Sequence, residues 1–428
     1  MPTVTYAHLL RSNVPFRRLW LGQVVSELGT WFAFIAELGL VRALSGTALS
    51  ASLIVAAHFL PYCIVGPFAG AIADRFPRRM VMIAADLGRA VLALGFLFAT
   101  TPDRLWVAYV CAAGLSSLSA FFEAAKNASM PNLAKGDQLL PANALIHAMR
   151  FLQLSIGAMI AGLVTEWLGY RAAFVINAAS FVVSAFFIGR IAIAALEPDL
   201  QALAFRAASS ARSLTADVRE AIVFIWRTPL VLAITAVNFG WAFGGGMSQV
   251  INDRFGGIIF AEPGQTGDRG VAILNAATGI GLLIGMIVAN RIGALVSARK
   301  VVGPFIGWML VASGLIFALS GAAPNIWVMS AVFIVNRAIL SAEYAVQDTV
   351  LMVALPDGIR GKVHTIDRSV ELAIYGLSAL IAGALFTVLE PRVVPVISGL
   401  LMALPGFVWL IALSRGRVQI GHGALSSR

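Results

Sequence analysis

Gly70-Ala71-Ile72-Ala73-Asp74-Arg75-Phe76-Pro77-Arg78-Arg79 places one acid and three bases at the joint between two apolar runs, 51–73 and 80–100. A helix needs roughly 20 apolar residues to cross a bilayer. Two such runs joined by so short a polar elbow read as a hairpin of membrane helices, with Pro77 as a turn former. Lys and Arg collect on the cytoplasmic side of membrane proteins, so the elbow belongs there.

Composition extends this reading to the whole chain. Of 428 residues, 59% are hydrophobic and 12% charged, against about 25% charged in a soluble domain. The mean hydropathy is +0.86. A water-soluble enzyme, a secreted disulfide scaffold and a disordered chain are excluded. The net charge of +10 fits positive cytoplasmic loops rather than nucleic-acid binding, because no basic run carries interleaved aromatics. Cys63 and Cys111 both lie in apolar stretches and form no metal-type pair. The first 18 residues hold Arg11, Arg17 and Arg18 without a short apolar core and cleavage site, so no removable signal peptide is expected.

Apolar segments of crossing length fall near 19–42, 51–73, 80–100, 104–125, 145–168, 172–194, 229–252, 270–290, 301–320, 326–350, 365–389 and 392–413. The expectation is an all-α integral membrane protein with twelve transmembrane helices. With the N-terminus inside, the inner segments carry twenty Lys and Arg, counting Lys126 and Lys135. The outer loops carry five: Arg104, Arg171, Arg254, Arg269 and Arg392. This bias predicts cytoplasmic N- and C-termini. The longest interior interruption, 195–228, divides the segments six and six, and apolar residues at helical spacing around 214–226 suggest a helix on the cytoplasmic face. The predicted organisation is a bundle over 1–194, a linker over 195–228 and a second bundle over 229–428.

The elbow resembles motif A of the major facilitator superfamily, Gly-x-x-x-Asp-Arg/Lys-x-Gly-Arg/Lys-Arg/Lys, with Pro77 in place of the second glycine. Its surroundings look like the bacterial macrolide-efflux and enterobactin-exporter branch. They include Phe16-Arg17-Arg18-Leu19-Trp20-Leu21-Gly22-Gln23, the run from His58 through Pro61 to Pro67, and Met82 to Leu87. Ala142-Asn143-Ala144-Leu145 and Pro356-Asp357-Gly358-Ile359-Arg360-Gly361-Lys362-Val363 belong to the same pattern. The chain departs from it at Phe121-Phe122-Glu123-Ala124, where that branch usually has a proline. Gly293 followed by Arg299-Lys300 echoes the motif in the second half without its acid. Such an echo fits duplicated halves.

Charge and geometry suggest roles for the motif's residues Gly70, Asp74, Arg75, Arg78 and Arg79. A helix N-terminus carries about half a positive charge and unpaired N–H groups. Asp74 is expected to latch onto the N-terminus of span eleven, near Thr365. The arginines are expected to pair with Asp86, Glu123 or anionic lipid, or simply to anchor the loop. Asp86 and Arg89 are read as a supporting pair.

An ionisable group in hydrocarbon costs about 2.5–3.5 kcal/mol on insertion scales. Glu27 and Glu37 lie on span one, about 15 Å apart along a helix and about 80° apart around it. Both are proton-coupling candidates, with an acid paired to a distant base such as Arg337 as the competing account. Substrate-cavity candidates are Arg150, Gln153, Asn238, Arg337, Glu343 and Gln347, the last two four residues apart on one helix face. His364, Asp367, Arg368 and Glu371 read as a surface ion-pair cluster. Gly244-Gly245-Gly246 is a bend or a close contact, and Gly279, Gly281 and Gly285 a small-residue packing face.

No Walker A sequence, HExxH, GxSxG or Cys/His cluster occurs. No enzyme activity, cofactor or metal is expected. The resemblance implies a major facilitator fold of two six-helix bundles. It also implies proton-driven export of a bulky amphipathic solute, a drug or siderophore, by a monomer in the bacterial inner membrane. A proton-coupled metabolite importer and a transport-dead sensor or scaffold are the alternatives. The expected partners are substrate, protons and lipid, with no nucleic acid.

Overall fold

The structure is a computed structural model and describes residues 5–196, 218–263 and 266–418. Among these there is no strand. In hydrocarbon a backbone finds no water to bond, and a helix satisfies its own polar groups. In unit order the long helices begin with α1 (Val14–Ser45), α2 (Ala48–Arg75), α3 (Arg78–Gly95), α4 (Leu105–Leu133), α5 (Leu139–Leu152) and α6 (Ala158–Gly189). They continue with α7 (Pro229–Gly245), α8 (Asp268–Ala298), α9 (Val302–Ala318), α10 (Ile326–Ala354), α11 (Asp357–Val388) and α12 (Val393–Ser414). Among the described residues, eleven helices are long and apolar enough to cross a membrane.

The difference from the expected twelve lies at one place. The segments expected at 145–168 and 172–194 run together because α6, which α5 enters through a π turn at Gln153–Gly157, continues across the gap between them to Gly189. Yet α6 contains one residue outside helical geometry, Gly169, with φ 76° and ψ 168°. That backbone region is open essentially to glycine alone, and it falls in the gap between the two expected segments. Elsewhere the helices outrun the apolar segments, since hydropathy registers only their lipid-immersed part. The start of α11 at Asp357 precedes the expected 365 by two turns. Lys126 is a helical residue inside α4 rather than a loop residue, and it is 5% exposed.

Local chemistry sets the ends. Asn13 caps α1 by accepting from the Phe16 N–H at 3.0 Å, with Pro15 in the first turn. Its amide donates to the Leu133 carbonyl at 2.6 Å, tying the start of α1 to the end of α4. Asn325 caps α10 by accepting from Trp327 and Val328 at 3.1 and 3.0 Å. At the end of α8 the Val301 N–H bonds the Val296 carbonyl and the Lys300 N–H the Ser297 carbonyl. This is a Schellman cap, which needs a left-handed residue at its C′ position. Lys300 fills that position with φ 57°, although a side chain there is penalised. Lys300→Gly is therefore expected to stabilise the protein by about 0.5–1 kcal/mol, read as a higher thermal midpoint in detergent. Lys300→Ala should bring no gain.

Packing divides the chain into two compact units. Unit 1 comprises Met1–Gly46 and Ala57–Leu214, and unit 2 comprises Thr47–Ala56 and Thr215–Arg428. In unit 1, α1 lies along α6, and α3 packs on α4 and α6. In unit 2, α7 packs on α11 and α12, α9 on α10 and α12, and α8 on α10. Three pairings recur six helices apart: α1 with α6 and α7 with α12, α3 with α4 and α9 with α10, α3 with α6 and α9 with α12. Buried Phe16, Leu19, Met82, Phe122 and Ile188 centre one core in unit 1.

Helices in lipid associate by close contact at small residues. A Cβ on Gly314 of α9 would lie 2.4 Å from the Ala403 nitrogen of α12, and one on Gly399 would lie 2.4 Å from the Ala318 nitrogen. The small-residue face of α8 meets α10, where a Cβ on Gly285 would lie 2.3 Å from the Ala338 carbonyl oxygen. The Gly244–Gly246 run is both a break and a contact. The chain turns at 246–247, and a Cβ on Gly246 would lie 2.2 Å from the Tyr375 carbonyl oxygen.

The far end of the expected linker, 195–228, groups with unit 2. Residues 218–227 are helical and bury Ala221 and Ile225 in the core of unit 2. Glu220 of this helix pairs with Lys362 at 2.6 Å. The helix packs into a bundle because its apolar side has protein to cover it. Residues 197–217 lie outside the described residues.

Candidate functional site

In unit 1 the candidate centre is a buried acid on α1. Glu37 is 0% exposed, and its Oε2 lies 2.5 Å from Nε2 of His58 on α2. At that distance one proton must lie between two atoms that both carry lone pairs. The other carboxylate oxygen, Oε1, is buried with no hydrogen-bond partner. Phe34 presents its edge to the imidazole at 5.2 Å, and Trp31 packs on Phe34 at 6.0 Å. Three residues beyond His58, Pro61 lacks the N–H that a helix requires, which frees carbonyls in the preceding turn. The Ser116 hydroxyl donates to the His58 carbonyl at 2.6 Å. The distant-base account of Glu37 is corrected: its partner is His58. Glu27 is half-buried and has no partner among the described residues.

At the motif the structure assigns partners to two of the three bases. Arg78 is 5% exposed and donates to the carbonyls of Ala128 at 2.7 Å and Leu196 at 3.4 Å. Arg79 donates to the carbonyl of Gly189, the last residue of α6. Carbonyls at helix ends lack intrahelical partners and favour nearby cations. The expected acidic partners are engaged elsewhere: Asp86 pairs with Arg89, and Glu123 with Lys126. Lys126 also reaches Gln23 of α1 at 3.3 Å. The Arg89 guanidinium lies over the rings of Phe122 and Phe181, at 4.4 and 4.5 Å. Arg75 is exposed. A Cβ on Gly70 would meet nothing within 4 Å. The side chains of Asp74 and Arg150 lie outside the described residues. Thr365 is corrected as the latch position: α11 begins at Asp357, so its orphan N–H groups lie in that first turn. Thr365 is interior and donates its hydroxyl to the Gly361 carbonyl at 2.9 Å.

Unit 2 joins three of its polar side chains into one line. Gln347 Nε2 donates to Asn238 Oδ1 at 2.5 Å, and Asn238 Nδ2 donates to Asp367 Oδ2 at 2.9 Å. These residues sit on α10, α7 and α11. The surface-cluster reading of α11 holds for Arg368, half exposed and 2.8 Å from Glu371, but is corrected for Asp367, which is 4% exposed. Helical periodicity turns 367 toward α7 while 368 faces outward. Arg337 is 6% exposed and lies 5.9 Å from the Phe317 ring, packed against α9 rather than presented to open space. Glu343 is 1% exposed. Gln153, at the π turn, is 4% exposed and donates to the Val24 carbonyl at 3.0 Å, so it secures α1 instead of lining a mouth. Among the described residues no cluster of His, Cys, Asp and Glu could hold a metal ion.

The family model of the Major Facilitator Superfamily matches residues 19–261. The chain belongs to the Major Facilitator Superfamily. This facilitator is 28% identical over 231 residues to the uncharacterized MFS-type transporter YfiS of Bacillus subtilis, covering 52% of each chain. It is 25% identical over 195 residues to macrolide efflux protein A of Streptococcus pyogenes, covering 45% of this chain and 48% of the relative. The matched part spans about half the length of these curated relatives. A solved structure of a bacterial homologue of the human lysosomal transporter Spinster superposes with a TM-score of 0.69 at 13% identity, covering 95% of this facilitator and 97% of that chain. This facilitator thus belongs to a transporter family, carries eleven helices long and apolar enough to cross a membrane among its described residues, and resembles the macrolide-efflux branch.

His58 is the functional candidate that sequence reasoning missed. It stood in the run His58–Pro67 as a family marker, and it is a polar residue inside an apolar crossing. That cost in hydrocarbon was the available signal.

Proposed function

We propose that this facilitator exports a bulky amphipathic small molecule, a drug or siderophore, by alternating access, driven by protons moving inward. The observation that carries the reading is the Glu37–His58 pair, which keeps an ionisable carboxylate at 0% exposure inside a crossing. A proton bound at a buried acid removes its charge, and the two protonation states then favour different orientations of the carrier. Similarity to a macrolide efflux protein supports export and an amphipathic cargo. We count twelve crossings, taking the Gly169 break as the point where two crossings join. The repeated helix pairings support six in each half. The carrier works as a monomer in the bacterial inner membrane with both termini cytoplasmic, as the loop charges favour. Asn238, Gln347, Glu343 and Arg150 remain the residues proposed to shape the substrate path. Asp74 supplies the charge in motif A that the cycle uses for gating.

The test is intracellular accumulation of a labelled macrolide and of ethidium in efflux-deficient bacteria. Expression should lower accumulation of at least one probe. The difference should vanish with a protonophore and in an Asp74→Asn variant made in equal amount. Unchanged accumulation of both probes, despite confirmed membrane insertion, would remove the drug-export reading. A protonophore-insensitive decrease would remove proton coupling.

A further inference from the structure

Unit 2 holds buried carboxylates of its own, and the surroundings of one of them, Asp367, differ from those of Glu37. Asp367 Oδ2 accepts from Asn238 at 2.9 Å, while Oδ1 is buried with no hydrogen-bond partner. Thr235, three residues before Asn238 on α7, faces this carboxylate. Thr235 is 4% exposed, and its hydroxyl is a hydrogen-bonding neighbour of the carboxylate. Arg368 is held by Glu371 at 2.8 Å, and among the described residues no Lys or Arg pairs with Asp367. An uncompensated carboxylate buried among membrane helices is costly. A hydroxyl both donates and accepts, so Thr235 can donate to the charged carboxylate and, turned about, accept from a protonated one.

We propose that Asp367 is a second proton-binding site, in unit 2 and distinct from Glu37, which takes its proton on Oδ1 and hands it to water through the His364–Asp348 pair. On protonation the new O–H donates to Thr235 Oγ1, and the side chain passes from charge −1 to neutral. Asn238 continues to donate to Oδ2, held in register by Gln347 at 2.5 Å. The exit is available. His364 lies three residues before Asp367 on α11 and 3.5 Å from Asp348, and these two side chains are 37% and 33% exposed. The remaining titratable neighbours are Arg368 and Glu371 on α11 and Tyr344 on α10. The packed helices α7 and α12 carry no titratable side chain. Glu343, one turn before Gln347, also has a buried unpartnered oxygen but no such route to water.

The site's use in transport rests on the proton-driven reading above, but its proton binding does not. The experiment is infrared difference spectroscopy of the full-length protein in lipid between alkaline and acid pH, following the C=O stretch of protonated carboxyl groups. The wild type should give a component that Asp367→Asn removes and Glu37→Gln leaves intact. Thr235→Ala, which keeps the acid, should shift that component because its hydrogen-bond acceptor is gone. An Asp367→Asn spectrum that superimposes on the wild type overturns the proposal. If that variant does not fold, an unshifted Thr235→Ala spectrum overturns it. Bands that behave as stated in a protein that moves neither probe would instead count against the export reading alone.

Discussion

Cells making the Glu37→Gln variant are expected to accumulate ethidium as though they carried no transporter, although the variant is present and inserted. Glutamine keeps the shape of the side chain and can still hydrogen-bond His58. It cannot exchange a proton. A ligand shifts a conformational equilibrium only by its differential affinity for the two states, and here the ligand that supplies the energy is the proton. Typical coupling between two ligands is about 1–3 kcal/mol, or about 5–150-fold in affinity. The variant's affinity for its substrate should therefore lose its dependence on pH by a factor in that range. Exchange of labelled for unlabelled substrate, which moves no net proton, should persist. A variant that still exports against a gradient would place the coupling elsewhere. His58→Ala is the less informative change. It strands Glu37 at 0% exposure, and breaking a buried pair costs about 3–5 kcal/mol.

The largest effect on stability is expected at Arg89. Asp86 is 0% exposed, and its partner Arg89 is enclosed by Phe122 and Phe181. Arg89→Leu removes the counter-charge and leaves the acid in an apolar shell, at a cost of about 3–5 kcal/mol. Asp86→Leu combined with Arg89→Leu removes both charges and should regain most of that loss, since an apolar replacement for a buried pair is often neutral. Thermal unfolding in detergent of the two single variants and the double variant yields the coupling energy. A double variant no more stable than Arg89→Leu would mean that the pair is not self-contained. The pair braces α3 against α4 and α6, so a stable double variant is expected to retain export.

Much of the architecture was legible because lipid leaves a chain few choices. Runs of apolar residues must become helices. What escaped was contact between elements. Glu37 announced itself as an acid in a crossing, but nothing in the spacing of α1 and α2 indicated that His58 would meet it. Arg78 and Arg79 looked like partners for acids, whereas they bond carbonyls that only the assembled helix ends bring within reach. His364, Asp367, Arg368 and Glu371 on α11 looked alike in hydropathy. One residue of helical rotation separates buried Asp367 from exposed Arg368. Gly169 shows the opposite case. The gap between two apolar segments marked the break, and the backbone kinks there.

The central claim, that a proton on Glu37 drives export, is tested most directly in everted membrane vesicles with an imposed pH gradient. Export from the cell becomes uptake into such vesicles, and an acid interior supplies protons that leave as substrate enters. Ethidium is the suitable probe because its permanent charge prevents passive trapping by pH. Vesicles holding this facilitator should take up ethidium when the interior is acid and stop when the gradient is collapsed, while Glu37→Gln vesicles match empty ones. Uptake by the wild type that is equal with and without the gradient, or gradient-driven uptake undiminished in Glu37→Gln, would contradict the account.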